Sequence, residues 1–255
     1  MKLLVIFIAL VAAAAASFLG IRYYLRDAGV NSSYVVTQVQ KQVEKQVEKE
    51  VQKSNPSEAS PLILIDVPFT VQAPLAEWKD PRQQEACEEA SSLMAMHWVK
   101  GEKIQSREAA KTEILAIAKY EEEKFGSYHD TSAKDTAERI LKGYYNYTNY
   151  EIKDVDSPDD IVNELAAGKI LIVPLNGQAL HNRNFTQPGP ERHMLVVTGY
   201  DRNSSQFITN ETGIKQGEDW RYDSNLFFNA IRDYDTGDKV PIIPKPKVMI
   251  VIKKQ

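Results

Sequence analysis

"QEACEEASSLMAMHW", residues 84 to 98, holds the one cysteine of the chain. Cys87 stands just ahead of a run that reads as a helix, and the fold turns on what that helix is for. A buried cysteine behaves as a small hydrophobe. A cysteine at a helix N-terminus can instead be a nucleophile, because the free N–H groups and the helix dipole favour a thiolate there. Glu88 and Glu89 follow directly, and they oppose a thiolate unless their carboxylates point to solvent.

Upstream lie three segments of different character. Residues 1–26 read "MKLLVIFIALVAAAAASFLGIRYYLR", with no charge from Leu3 to Ile21. That run is just long enough for a membrane-spanning helix of roughly 20 residues. Small residues from Ala12 to Ser17 also suit a cleavable signal peptide. The apolar run continues past them, and Tyr23 and Tyr24 suit an interface, so an uncleaved anchor is favoured. An anchor of this kind places the rest of the chain outside the membrane. Residues 27–61 form a stalk and linker: Val39, Val43, Val47 and Val51 recur every four residues among interleaved Lys and Glu. A four-residue stripe drifts around a helix, so this is a solvated stalk and not a heptad seam. "SNPSEASP" (54–61) is a linker, and the domain runs from residue 62 to 255.

Within the domain, "LILIDVPF" (62–69) reads as a buried strand entering a turn. Helices are expected around 85–99, 106–123 and 132–145. The second carries Ala109, Ala110, Ile114, Ile117 and Ala118 at helical spacing. "YEIKDV" is a short strand, and "SPDDIVNELAAGK" (157–169) opens with a helix start signal. "ILIVPLN" (170–176), "HMLVVTGYD" (193–201), "QFITNE" (206–211) and "KVMIVIKK" (247–254) read as strands separated by turn residues. The pattern is α+β, with N-terminal helices packed on an antiparallel sheet.

Composition excludes several classes. A net charge of −4 offers no basic field, so nucleic acid is not an expected partner. One cysteine allows no internal disulfide. There is no C-x-x-C or H-E-x-x-H spacing and no glycine-rich phosphate loop, so neither a metal nor a cofactor is expected.

A cysteine nucleophile needs a base, a group that orients the base, and donors for the oxyanion. The chain has four histidines. His97 lies ten residues beyond Cys87 on the same helix and cannot reach it. His129 and His181 lie in turn-like segments. His193 opens an apolar strand directly after a loop, where a scaffold fixes a side chain at a cleft edge. Asn210 and Glu211 end the next strand, and either could accept the imidazole N–H. Gln72 precedes the helix and could donate to an oxyanion with a backbone N–H; Gln83 and Gln84 are alternatives. A single Cys with a distant His and Asn or acid is the pattern of a cysteine hydrolase.

"VPFTVQAPLAEW", "CEEASSLMAMHWV", "RHMLVVTGYD" and "FITNETG" resemble the bacteriocin-processing double-glycine peptidase-like family of papain-like cysteine peptidases, over roughly Leu62 to Asp233. The resemblance implies a papain-like fold, a peptide or protein substrate, Cys87 as nucleophile, His193 as general base and acid, and Gln72 as oxyanion donor. In that family an aspartate of an "Asp-Pro" follows the second strand. Here Asn210-Glu211-Thr212 stands in its place. An insertion with Trp78 and Pro81 lengthens the Gln72–Cys87 separation. A related cysteine amidase or acyltransferase, or a binding module that kept the cleft without turnover, are the competing readings.

Overall fold

The computed structural model describes residues 60–237 and 245–254. The anchor and stalk, and the linker as far as residue 59, lie outside the described residues. Among the described residues no helix is long and apolar enough to cross a membrane.

The scaffold is a seven-stranded sheet whose strand pairs are all antiparallel. Its strands are β1 (Leu62–Leu64), β2 (Tyr150–Asp154), β3 (Ile170–Leu175), β4 (His193–Asp201), β5 (Gln206–Asn210), β6 (Trp220–Asp223) and β7 (Val248–Ile252). They run in the order β2-β7-β3-β4-β5-β6, with β1 added beside β4. β4 is long enough to serve two partners on one side. Its first half pairs with β3, from Leu175 opposite His193 to Leu171 opposite Val197. Its last three residues pair with β1. There Gly199 is required: a Cβ would sit 2.3 Å from the Ile63 carbonyl oxygen.

The strands read as near-continuous apolar runs because helices cover both faces of the sheet. Alternate side chains point to opposite faces. Leu171, Val173, Leu195, Val197 and Val251 meet Ile161 and Leu165 of one helix and Phe227 and Ala230 of another. Ile170, Ile172, Met194, Val196 and Ile250 meet Met94, Ala95 and Trp98 of the Cys87 helix. Each fully buried large aliphatic contributes roughly 1.5–3 kcal/mol relative to exposure.

The helices are α1 (Pro81–Gln84), α2 (Cys87–Lys100), α3 (Arg107–Phe125), α4 (Ala133–Asp135), which runs on as a π-helix (Thr136–Tyr144), α5 (Pro158–Ala166) and α6 (Ser224–Ala230). α2 is buried nearly all round. A second stripe, Ala86, Ala90 and Leu93, packs on Ile114 and Ile117 of α3 and Ile140 of the π-helix. Gly101 ends α2 in the left-handed conformation at φ 68°, returning its N–H to the His97 and Trp98 carbonyls. Ser106 caps α3 by accepting the Ala109 N–H at 3.1 Å. α5 starts as its signal predicts: the Asp160 carboxylate accepts the Ser157 N–H at 2.8 Å.

Three expectations need correction. "LILIDVPF" is not a buried strand: β1 spans only three residues, and Leu62 and Leu64 are 42% and 49% exposed. Only its β4 side is paired, so its outer face meets water. Ala109 is exposed, because the buried stripe of α3 starts one residue later. β6 and α6 are elements for which polar "QGEDWRYDSN" gave no apolar period. Asp223 starts α6 by accepting the Asn225 and Leu226 N–H groups.

Candidate active site

Cys87 is the first residue of α2 and is 5% exposed. α1 delivers the chain to it, capped by Asp80, which accepts the Arg82 N–H. The Cys87 N–H belongs to the first helical turn, whose donors have no intrahelical acceptor. The helix end does not, however, hold a thiolate here. The thiol donates to Glu88 Oε2 at 2.9 Å. Burial pushes the thiol well above its usual range, and the carboxylates of Glu88, Asp130 and Glu89 push it further. The reason lies in α2 itself: Glu88 and Glu89 point inward and are 1% and 0% exposed.

His193, 1% exposed, is set by the first ladder pair of β4, opposite Leu175. Its Nε2 lies 2.5 Å from Glu211 Oε1. The Phe185 ring stands edge-on to the imidazole, centroids 5.4 Å apart. Glu211 is fully satisfied. Oε1 also accepts the Gly213 N–H at 2.9 Å, and Oε2 accepts the Tyr222 hydroxyl at 2.8 Å. Tyr222 in turn accepts from Asn182 Nδ2 at 2.8 Å. Burial raises the Glu211 carboxyl, but His193, the Gly213 N–H and the Tyr222 hydroxyl outweigh it, and the net effect is to hold it below its usual range. The turn after Glu211 closes tightly. A Cβ at Gly217 would lie 1.9 Å from the Glu211 carbonyl oxygen, so that position admits only glycine.

Asn210 is not at the ring. It pairs with Val196, and its Nδ2 donates to the Val67 carbonyl at 3.1 Å. Sequence left Asn210 and Glu211 open, and the hairpin β4–β5 brings Glu211 to His193. The longer side chain reaches because Glu211 lies one residue past the end of β5, where the chain already turns.

Gln72 is buried, and its N–H donates to the Thr212 carbonyl at 2.9 Å. That bond ties it to the segment carrying Glu211. Its amide donates to the Gln84 and Gln83 carbonyls at 2.6 and 3.2 Å. Both amide hydrogens are therefore engaged at the end of α1. Gln84 lines the cleft, whereas Gln83 is fully buried and donates to Glu77. His97 faces Glu113 at 3.1 Å, His129 stacks on Tyr128, and His181 ends a short 3-10 helix.

Cys87, His193 and Gln72 line one open cleft of about 1540 Å³. Its walls come from 69–76, from Asn184 to Arg192, and from Gly213 to Glu218. The thiol and the imidazole share no hydrogen bond among the described residues: one donates to Glu88, and the other bonds to Glu211. No cluster of three or more His, Cys, Asp or Glu suited to a metal ion occurs among the described residues. Sequence reasoning missed Tyr222, Asn182, Gly213 and Phe185. Only "ETGIKQG", with two close glycines, hinted at a tight turn behind the imidazole.

The model of the Peptidase_C39 like family matches residues 64–236. Among solved structures, a Bacillus anthracis chain described as a C39-like peptidase is similar at 13% identity and a TM-score of 0.44, covering 76% of this chain and 98% of that one. No curated protein matches.

Proposed function

Because the chain belongs to the Peptidase_C39 like family, and its helices and antiparallel sheet form a papain-like fold, we propose that it is a cysteine peptidase that cleaves peptide or protein substrates through Cys87 and His193. The observation that carries this reading is the pairing of a helix-start cysteine with a carboxylate-held histidine on the same cleft. Glu211 occupies Nε2, so Nδ1 is the nitrogen left to take the thiol proton. The thiolate attacks the scissile carbonyl, and the Cys87 N–H faces the oxyanion that forms. Gln72 joins it if one of its two hydrogens leaves the α1 carbonyls. The imidazolium then protonates the departing amine. Water, deprotonated by His193, hydrolyses the thioester and restores the enzyme. Glu211 fixes the tautomer and stabilises the imidazolium. The Leu3–Ile21 run supports an anchored protein with this domain on the outer side of the membrane.

One observation favours a second reading. The thiol is bonded to Glu88 and both Gln72 hydrogens are engaged, which fits a surface-displayed binding module that keeps the cleft without turnover. The two are separated by incubating the protein with a peptide mixture and sequencing the products by mass spectrometry. The peptidase reading expects cleavage that C87A abolishes and H193A lowers at least 10³-fold. Uncleaved peptides that still bind the cleft would establish the module.

A further inference from the structure

Glu88 is the least expected neighbour of the nucleophile. Its Oε2 accepts the Cys87 thiol, and its Oε1 accepts the Tyr234 hydroxyl at 2.7 Å and the Thr131 N–H at 3.2 Å. The side chain is 1% exposed and has a partner on each oxygen. It therefore occupies a built position, with contacts from α2, from the segment before α4 and from the segment after α6. The thiol donates to this carboxylate, and no hydrogen bond joins it to His193 among the described residues.

We propose that Glu88 is a positioning residue for the nucleophile: its carboxylate keeps the proton on sulfur in the resting protein, and the thiolate forms when Glu88 itself gains a proton. This rests on the peptidase reading. The balance is simple. Solvent supplies one proton to Glu88, whose O–H then donates to Sγ. The thiol proton passes to His193 Nδ1, leaving a thiolate, an imidazolium and a neutral carboxyl. An ionised Glu88 beside a thiolate would be two like charges in a buried site, which that geometry forbids. The carboxylates around Glu88 act the same way, while Arg192, paired with Asp130 at 3.2 Å, and Arg139 oppose them. Asp130 faces it, Glu89 lies beside it on α2, and Glu121 approaches from α3, with Arg139 and Asp135 behind Glu121. Burial and Asp130 raise the Glu88 carboxyl to about 7, although the Cys87 thiol and the Tyr234 hydroxyl lower it. The pair therefore shares its first ionisation near neutrality.

The test is the rate of Cys87 alkylation by iodoacetamide against pH, on the full chain. The wild type should show two limbs of opposite sign: the rate falls near pH 7, as Glu88 loses its proton and the thiolate is suppressed, and rises again far higher, where the thiol itself ionises. E88Q should show a single limb and react about tenfold or more faster at pH 8, because the opposing charge is gone. Y234F removes a donor to the carboxylate and keeps its bond to the thiol, so it should move the first limb to higher pH. It also covers the case in which E88Q fails to fold, which circular dichroism would report. An unchanged profile in Y234F, or a folded E88Q no faster than wild type, overturns the proposal. H193A separates this from failure of the peptidase reading. If H193A slows alkylation while E88Q changes nothing, only the role of Glu88 falls. If Cys87 is inert in the wild type, E88Q and H193A alike, the peptidase reading fails and takes this inference with it.

Discussion

The two halves of the site are built on opposite electrostatic plans. Around His193 both carboxylate oxygens of Glu211 have partners, and the net effect favours the ionised carboxylate. Around Cys87 carboxylates predominate, with Arg192 paired to Asp130 at 3.2 Å and Arg139 acting on Glu121. Glu88 accepts the thiol, while both carboxylate oxygens of Glu89 and of Glu121 are buried without a hydrogen-bond partner. The first region is ready for an imidazolium. The second holds its thiol neutral and resists the ionisation of the carboxyls buried beneath it. The difference teaches that a helix N-terminus worth about half an elementary charge does not decide a cysteine's state when burial and inward-facing carboxyls lie within the same turn.

The sharpest way to break this contrast is to remove the charge from the ordered half. E211Q keeps the shape but offers an amide in place of a carboxylate acceptor, so it no longer fixes the tautomer or stabilises the imidazolium. Peptide cleavage should fall by roughly 10²–10⁴-fold, with substrate affinity little changed. Steady-state kinetics on a cleaved peptide measures the split. A loss confined to KM would show that Glu211 shapes the cleft and leaves the proton alone.

The other half is broken by pH. Burial raises the Glu121 carboxyl to about 8, with Glu88 adding to it and Arg139 opposing; burial and Glu121 raise Glu89 as well. A carboxyl raised in the folded state binds its proton more tightly there than in the unfolded chain. Its stabilising contribution is therefore complete below the unfolded value of about 4.5 and declines as pH rises to the folded value of about 8. The protein should lose on the order of a few kcal/mol of stability between pH 5 and pH 9. E121Q should flatten that slope and unfold at higher urea than wild type at pH 9. Equal slopes in the two proteins would mean that Glu121 is paired or hydrated in solution. Glu211 has the opposite sign: its depressed value adds stability above the ordinary carboxylate range, lost as pH falls below it.

The legible parts of the chain were those governed by periodicity and order. The strand runs at 170–176, 193–201 and 247–254 announced themselves because both sheet faces are covered, although the last one narrows to Val248–Ile252 in the structure. Two neighbours in the sheet, β4 and β5, form a hairpin through "DRNSS", with Asp201 opposite Gln206. Cys87 before a helix, then His193 at a strand start, was visible as an order of residue types. The inward turn of Glu88 and Glu89 was not, because a carboxylate in a first helical turn normally faces water and favours the dipole. Tyr222 was hidden by the polar run that conceals β6. The engaged amide of Gln72 depends on where α1 ends, which no spacing reports. The choice between Asn210 and Glu211 needed the turn at 211–217, where the chain leaves the ladder.

That choice also supplies the smallest predicted effect. Asn210 is 1% exposed and ends β5. Its amide joins Val67 to β5 at 3.1 Å, and its Oδ1 accepts the Asp219 N–H at 3.4 Å. N210A leaves a buried carbonyl unpaired, which costs about 1–3 kcal/mol. Nothing in those contacts touches the imidazole, since Glu211 already holds Nε2. N210A should therefore lower the urea midpoint while leaving cleavage within a few-fold of wild type and its pH profile in place. A shifted pH profile with unchanged stability would instead make Asn210 part of the histidine's support, and the contrast with Glu211 would no longer stand.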